Sequence, residues 1–291
     1  MKSAVVAIVG RPSAGKSTLL NALCGGKISI VSPVPQTTRT RVRGILNAPP
    51  GQIVFIDTPG YHLSLKKFNR YMTDLVTATL AEVDVVLYVV DVSRSIGNEE
   101  RAIIELLRRV PRPLVIALNK SDAAGPDAEA VRALLAVAFP HAHPVSLSAL
   151  KESGLDALRE ALFASAPEGE QMYPDDYYTD QTPDFRVAEI IREKAMLQTR
   201  EEVPHALYVR IEDLEMRDGG AMLWARGFIC VERESQKGIV VGRAGERIKS
   251  ITREAERELS EIFPYPVKLD LRVKVDRDWR TRDPLLRKML R

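Results

Sequence analysis

Gly10-Arg11-Pro12-Ser13-Ala14-Gly15-Lys16-Ser17 fits the pattern G-x-x-x-x-G-K-[S/T], a loop whose backbone N–H groups can cradle phosphate. The run before it, Ala4-Val5-Val6-Ala7-Ile8-Val9, reads as a buried strand. After it, Thr18-Leu19-Leu20-Asn21-Ala22-Leu23 reads as a helix, whose N-terminus adds partial positive charge. In this setting Lys16 reaches the terminal phosphates and the Ser17 hydroxyl can ligate Mg²⁺. Gly10 through Thr18 therefore form a candidate nucleotide cradle.

Working outward, strand-like and helix-like stretches alternate as far as about Pro167. Ile53 to Ile56, Val85 to Val90, Leu114 to Leu118 and Pro144 to Ser146 read as strands, and Leu65 to Leu80, Glu99 to Val110 and Ala128 to Phe139 as helices. This order predicts an α/β domain with a mostly parallel sheet and helices on both faces, its ligand at the carboxyl ends of the strands. The motifs fall at those ends. Asp57-Thr58-Pro59-Gly60 follows the second strand, placing Asp57 to hold Mg²⁺ through a water and the Gly60 N–H to meet a third phosphate. Asn119-Lys120-Ser121-Asp122 follows the fourth. The Asp122 carboxylate can accept from guanine N1–H and its exocyclic amine, a donor pair that adenine lacks. Asn119 is placed to touch N7 and support the loop, and the Lys120 stem to cover the base plane. Ser148-Ala149-Leu150 lies one strand further on, where the Ala149 N–H can meet guanine O6. GTP and GDP are the ligands this set predicts.

The chain has 291 residues, enough for two cores, with 45% hydrophobic and 28% charged residues and a net charge of +3. No apolar run approaches the ~20 residues that cross a bilayer, and the first strand begins too soon for a secretory leader. Cys24 and Cys230 lie far apart without metal-binding spacing, consistent with reduced thiols in the cytoplasm. From Lys268 onward nine basic residues face four acidic ones, so a basic tail on a nearly neutral body suggests a polyanionic partner.

Composition divides the chain into residues 1–170, a polar linker at 171–183, and a second domain at 184–291. The second domain reads as helix, strand, strand, helix, G-x-x-G, helix, strand. Its loop is Gly242-Arg243-Ala244-Gly245, with Lys237, Gly238, Arg247 and Lys249 flanking it. This order resembles a type II KH domain, an α+β fold in which the glycines let the backbone approach the phosphates of single-stranded nucleic acid.

With Gln36-Thr37-Thr38-Arg39 between the first two nucleotide motifs, the first domain resembles the translation-factor-related GTPases of the Era family. The resemblance extends through Glu202-Val203-Pro204-His205, Lys237 to Gly242, and Val273-Lys274-Val275 with Trp279-Arg280. It implies that Thr38, with Thr37 as the alternative, ligates Mg²⁺ together with Ser17 and Asp57. Lys16, Thr38 and Gly60 become the catalytic set. Tyr61 stands where many GTPases carry a water-orienting Gln, so the resemblance implies slow hydrolysis. Era-like loops commonly have Asn at the position of Ser13, a residue implicated in holding potassium in related enzymes, so a K⁺ requirement is left open. The family further implies a monomer that binds the 3′ end of small-subunit ribosomal RNA, serves small-subunit assembly, and can associate peripherally with the inner membrane. Charge and motifs alone leave open an RNA scaffold in which GTP only orders the fold.

Overall fold

A computed structural model describes residues 1–62, 67–284 and 286. Residues 65 and 66, expected to open a helix, and the basic residues 287, 288 and 291 lie outside the described residues. The described chain divides into two compact units. One comprises chiefly Met1–Ser29 and Thr38–Asp180, and the other comprises Ile30–Thr37 with Gln181–Leu285.

The first unit runs β1 (Lys2–Val9), α1 (Lys16–Cys24), β2 (Val42–Ala48), β3 (Gly51–Asp57), α2 (Lys67–Glu82), β4 (Val85–Asp91), α3 (Asn98–Leu107), β5 (Leu114–Asn119), α4 (Ala128–Ala138), β6 (Val145–Ser146) and α5 (Leu155–Ser165). Among the described residues its sheet has the order β2-β3-β1-β4-β5-β6, parallel except for β2 on the edge. β3 and β4 are buried along their whole length, which is why they read as unbroken apolar runs. α2, α3 and α4 cover one face through Val76, Leu80, Ile103, Leu107, Val131 and Leu135. α1 and α5 pack together against strands of the sheet.

Two features depart from the sequence reading. β2 is not evident in the sequence, because Val42-Arg43-Gly44-Ile45-Leu46-Asn47-Ala48 is a short run broken by a charge, a glycine and an amide. It forms by antiparallel pairing with β3, with Val42 opposite Asp57. The polar stretch 171–180 is not a free tether. The Ile45 N–H donates to the Tyr178 carbonyl, the Met172 and Tyr173 N–H groups donate to Gln52 Oε1, and Arg43 pairs with Asp180. This segment therefore caps an edge strand that would otherwise expose its ladder.

The second unit runs α6 (Pro183–Leu197), α7 (Val203–Ala206), β7 (Tyr208–Arg217), β8 (Met222–Val231), α8 (Glu234–Val241), α9 (Glu246–Ile262) and β9 (Val267–Val275). β7 and β8 form a hairpin, and β9 joins β8 in parallel. Along β8 burial alternates, so Leu223, Ala225 and Ile229 face α6 and α9 while Trp224, Arg226 and Phe228 face outward. Ile251, Ala255 and Leu259, four residues apart, give α9 its buried stripe. Ile30 and Val34 join this core from the segment 30–37.

Among the described residues, much of the basic tail is committed within the unit. Lys268, Arg272 and Lys274 sit on β9, and Arg272, Arg280 and Arg282 pair with Asp270, Glu232 and Asp276. Trp279 is fully buried, and its indole N–H donates to the Ala206 carbonyl at 2.8 Å. Trp279→Phe, which strands that carbonyl, should cost about 1–3 kcal/mol of second-unit stability. Trp279→Ala should cost about 3–5 kcal/mol. Urea unfolding followed by circular dichroism measures both.

Candidate nucleotide site and nucleic-acid loop

β1, β3, β4 and β5 run parallel, so their carboxyl ends deliver the loops that follow them to one edge of the sheet. Tight packing shapes the phosphate loop. A Cβ on Gly10 would lie 2.4 Å from the Val89 carbonyl oxygen, and one on Gly60 would lie 2.7 Å from the Pro12 backbone. Gly15 adopts φ +93°, and a Cβ there would lie 2.3 Å from Asn119 Nδ2. The Tyr61 N–H donates to the Gly10 carbonyl at 3.1 Å, stitching the residues after β3 to the loop. Lys16, 6% exposed, donates to the Gly10 and Arg11 carbonyls at 3.2 and 3.1 Å. Burial pushes its ammonium below the ordinary lysine range, and the charges of Asp57 and Glu100 oppose that shift.

Asp57 is fully buried at the end of β3. Its Oδ2 accepts from Ser17 Oγ at 2.6 Å and Ser29 Oγ at 3.0 Å, with Thr38 Oγ1 at 3.4 Å. Ser17 Oγ and Thr38 Oγ1 also lie 2.8 Å apart. Asp57 Oδ1 is buried and has no hydrogen-bond partner. Burial pushes this carboxyl up, while Lys16 and the three hydroxyls pull it down. A carboxylate with one orphaned oxygen, ringed by hydroxyls, is a donor set suited to a hard cation. Of the two threonines, Thr38 places its hydroxyl in this cluster, whereas the Thr37 hydroxyl is bonded to Ser32 and to the Val34 carbonyl. Ser29 was missed by sequence reasoning. Nothing around it in Lys27-Ile28-Ser29-Ile30 forms a motif, and only the fold brings it onto Asp57.

Asn119 ties the guanine loop to the phosphate loop, with Nδ2 donating to the Ala14 carbonyl at 2.9 Å and Oδ1 accepting from the Ala149 N–H at 3.0 Å. The Ala149 N–H, assigned from sequence to guanine O6, is therefore engaged by Asn119 here. Lys120 adopts φ 65° and donates to the Ser13 carbonyl at 2.8 Å. Asp122 lies in a short 3₁₀ turn and is exposed, so its desolvation would come with the base itself. Thr58 and Ser148 are fully buried, with Thr58 Oγ1 donating to the Ile8 carbonyl, while Leu150 is exposed. Pro59 is buried, Pro12 and Thr18 half-buried. His62 pairs with Glu99 at the start of α3.

In the second unit, Gly242 and Gly245 adopt φ +74° and +76°, and Ala244 between them also has positive φ. A Cβ on Gly242 would lie 2.7 Å from Arg247 Cβ. Gly245 caps α9 without any side-chain cap, so the first N–H groups of that helix open beside the loop. Arg243 and Lys249 are exposed and Lys237 is partly so. Arg247 is half-buried, its guanidinium donating to the Ile239 carbonyl. Gly238 lies inside α8, where a Cβ would meet nothing within 4 Å.

A family model described as 50S ribosome-binding GTPase matches residues 5–120, and one described as KH domain matches residues 202–280. The GTPase Era of Treponema denticola is 49% identical over 99% of both chains. The chain belongs to the Era family of GTPases. The Era protein of Borreliella burgdorferi is 42% identical over the full length of both chains. Among solved structures, a point variant of Aquifex aeolicus Era bound to GDP·AlF4⁻ superposes with a TM-score of 0.94 at 39% identity, covering 99% of this chain and 98% of that one. An Era complex with MgGDPNP and nucleotides 1506–1542 of 16S ribosomal RNA gives 0.93 at the same identity and coverage. The protein is thus a GTPase with a P-loop domain followed by a KH domain.

Gly15→Ala joins left-handed strain of about 1–2 kcal/mol to loss of the Asn119–Ala14 bond, about 1 kcal/mol or more. GDP affinity, read by fluorescent-nucleotide titration, should fall about a hundredfold.

Proposed function

We propose that this protein is a GTP-gated RNA-binding switch that binds the single-stranded 3′ end of small-subunit ribosomal RNA and acts in small-subunit assembly in the cytoplasm. The observation that carries the gate is the allegiance of residues 30–37. Ser29 and Thr38, on either side of this segment, reach Asp57 in the first unit, whereas the segment itself belongs to the second. Within the second unit, Glu193 Oε1 accepts from the Val31 N–H at 2.7 Å, and Arg192 donates to the Thr37 carbonyl at 2.8 Å. A change at the metal-holding hydroxyls would thus reach α6 by chain continuity, without a separate relay.

Ser17, Thr38 and Asp57 would hold Mg²⁺, which supplies charge neutralisation across the β- and γ-phosphates. Lys16 and the loop N–H groups would stabilise charge on the γ-phosphate as water attacks in line. Tyr61 brings no side-chain amide to orient that water, which favours slow unaided turnover. Asp122 would select guanine, with the Lys120 stem over the base. The open N-terminus of α9 and the close backbone approach at Gly242 and Gly245 suit a phosphodiester strand. The RNA assignment is supported by the Era–16S rRNA complex, a likeness that spans nearly all of this chain.

The test titrates the full-length protein with an oligonucleotide of the small-subunit rRNA 3′ end, in GDP and in a non-hydrolysable GTP analogue. Affinities should differ about tenfold between the two nucleotides, a typical coupling between sites. In Arg192→Met/Glu193→Ala the ratio should fall toward one while nucleotide binding persists. A ratio of one in the unmodified protein would leave an RNA-binding scaffold, with GTP as an ordering ligand.

A further inference from the structure

Outside the nucleotide motifs, one buried carboxylate touches two of them at once. Asp91 ends β4, in register with Asn119 at the end of β5, and only 1% of its surface is exposed. The Val92 N–H donates to the Asn119 carbonyl at 3.1 Å, so the two strand ends are stitched together. Asp91 Oδ2 accepts from Lys120 Nζ at 2.8 Å and lies 3.5 Å from Arg11 Nη2 in the phosphate loop. Its Oδ1 accepts from the Ser93 N–H at 2.9 Å and the Ser93 hydroxyl at 2.5 Å. Its own carbonyl accepts from Arg11 Nη2 at 3.4 Å.

Arg11 was expected, with its neighbours, to contact the nucleotide. Its guanidinium turns instead toward these groups, with Nε 3.4 Å from Glu100 in an ion pair that lacks hydrogen-bond alignment. Glu100, 2% exposed, also accepts from the Tyr88 hydroxyl. Arg11 and Lys120 thus meet two buried carboxylates, with Arg94 Nε a further 3.9 Å from Asp91 Oδ2 at the surface. Burial pushes the Asp91 carboxyl up, but the hydrogen bonds from Lys120 and Ser93 more than offset it and leave it below the usual carboxylate range. It is therefore a fixed negative charge at neutral pH.

Lys120 needs such a fixed charge. A lysine stem carries about 2 kcal/mol of rotamer entropy, and its ammonium is a point charge that wanders unless held from more than one side. Here Nζ is held between the Ser13 carbonyl and Asp91 Oδ2, each at 2.8 Å. Lys120 and Ser13 both have left-handed backbones, a strained arrangement that must be held by its surroundings.

We propose that Asp91 is a positioning residue for the guanine nucleotide: it seats Lys120 and anchors Arg11, locking the guanine loop to the phosphate loop and setting how slowly GDP leaves. None of the sequence motifs includes Asp91, and in sequence it is only an acid closing an apolar strand.

The test measures dissociation of fluorescent GDP from the full-length protein during a chase with unlabelled GDP. Asp91→Asn removes a charged acceptor at nearly constant shape, and should accelerate dissociation about tenfold or more, the range for a lost charged hydrogen bond. Ser93→Ala, a milder change that frees Oδ1, should accelerate it about threefold, as expected for part of one hydrogen bond. Because the larger part of its hold runs through Lys120, adding Asp91→Asn to Lys120→Ala should change the rate by much less than it does in the unmodified protein, the remainder being its anchor on Arg11. The rise in Tm produced by GDP should shrink in Asp91→Asn, whereas a merely structural role would lower the apo and GDP-bound Tm equally. Unaltered dissociation in both single variants, or effects that multiply in the Lys120→Ala background, would overturn the proposal. If Asp91→Asn fails to fold, Ser93→Ala with and without Lys120→Ala decides the matter alone.

Discussion

The convergence of three hydroxyls on the buried Asp57 carboxylate is the constraint on which the rest of the nucleotide site depends. Ser17 comes from the helix after the phosphate loop, and Ser29 and Thr38 from the two sides of the segment 30–37. A carboxylate stripped of water is costly to bury, and it persists because donors and the Lys16 charge surround it. Its orphaned Oδ1 leaves the cluster incomplete on one side. A polar cluster satisfied on one oxygen and open on the other is suited to respond to a cation, because adding one completes the set. The same cluster fixes where the chain enters β2, since Val42 lies opposite Asp57.

Much of the first unit was legible because its strands are buried on both faces and its loops carry dense motifs. The parallel strands, the glycine loop, Asp57 and Asn119 all follow from hydrophobic runs that end abruptly in polar residues. What escaped reading depends on partners distant in sequence. β2 exists because β3 offers it a ladder, and residues 171–180 look like a linker because their bonds go to Gln52, Arg43 and Ile45. Ser29 and Asp91 lack local signatures for the same reason: each acts on a group that only the fold brings near. The division of 30–37 from its flanks could not be read at all, because Ile30 and Val34 are ordinary apolar residues until α6, α9 and β8 surround them.

In the second unit, charge proved a poorer guide than backbone. The basic residues of β9 and the following turn are largely committed to acids within the unit, as in the Arg280–Glu232 and Arg272–Asp270 pairs. Outward aromatics are covered in the same way, with Arg217 stacked 3.6 Å from the centre of the Trp224 ring. Counting lysines and arginines from Lys268 onward therefore overstates what remains for a polyanion. The features that distinguish Gly242–Gly245 are geometric: positive φ at three of its four residues, and the uncapped start of α9 beside them. Such a loop is suited to phosphate chiefly through its N–H groups, a contact to which the exposed Arg243 and Lys249 would add.

Half of the eight described non-glycine residues with positive φ bear on these sites. Of the described non-glycine residues with positive φ, Ser13 and Lys120 face each other across the nucleotide cradle, Gln36 sits in the segment 30–37, and Ala244 sits in the second unit's glycine loop. Left-handed backbone costs a non-glycine residue about 1–2 kcal/mol, so each position requires neighbours that hold it. Asn tolerates this conformation better than Ser, which gives a backbone reason, separate from any cation, for the Asn common at the position of Ser13 in Era-like loops. With Ser13 in its place, the loop loses that intrinsic preference and relies on the Lys120 ammonium bound to the Ser13 carbonyl. Lys120 relies in turn on Asp91. The departure at Ser13 therefore raises the demand on a carboxylate at the end of β4 that lies in none of the nucleotide motifs.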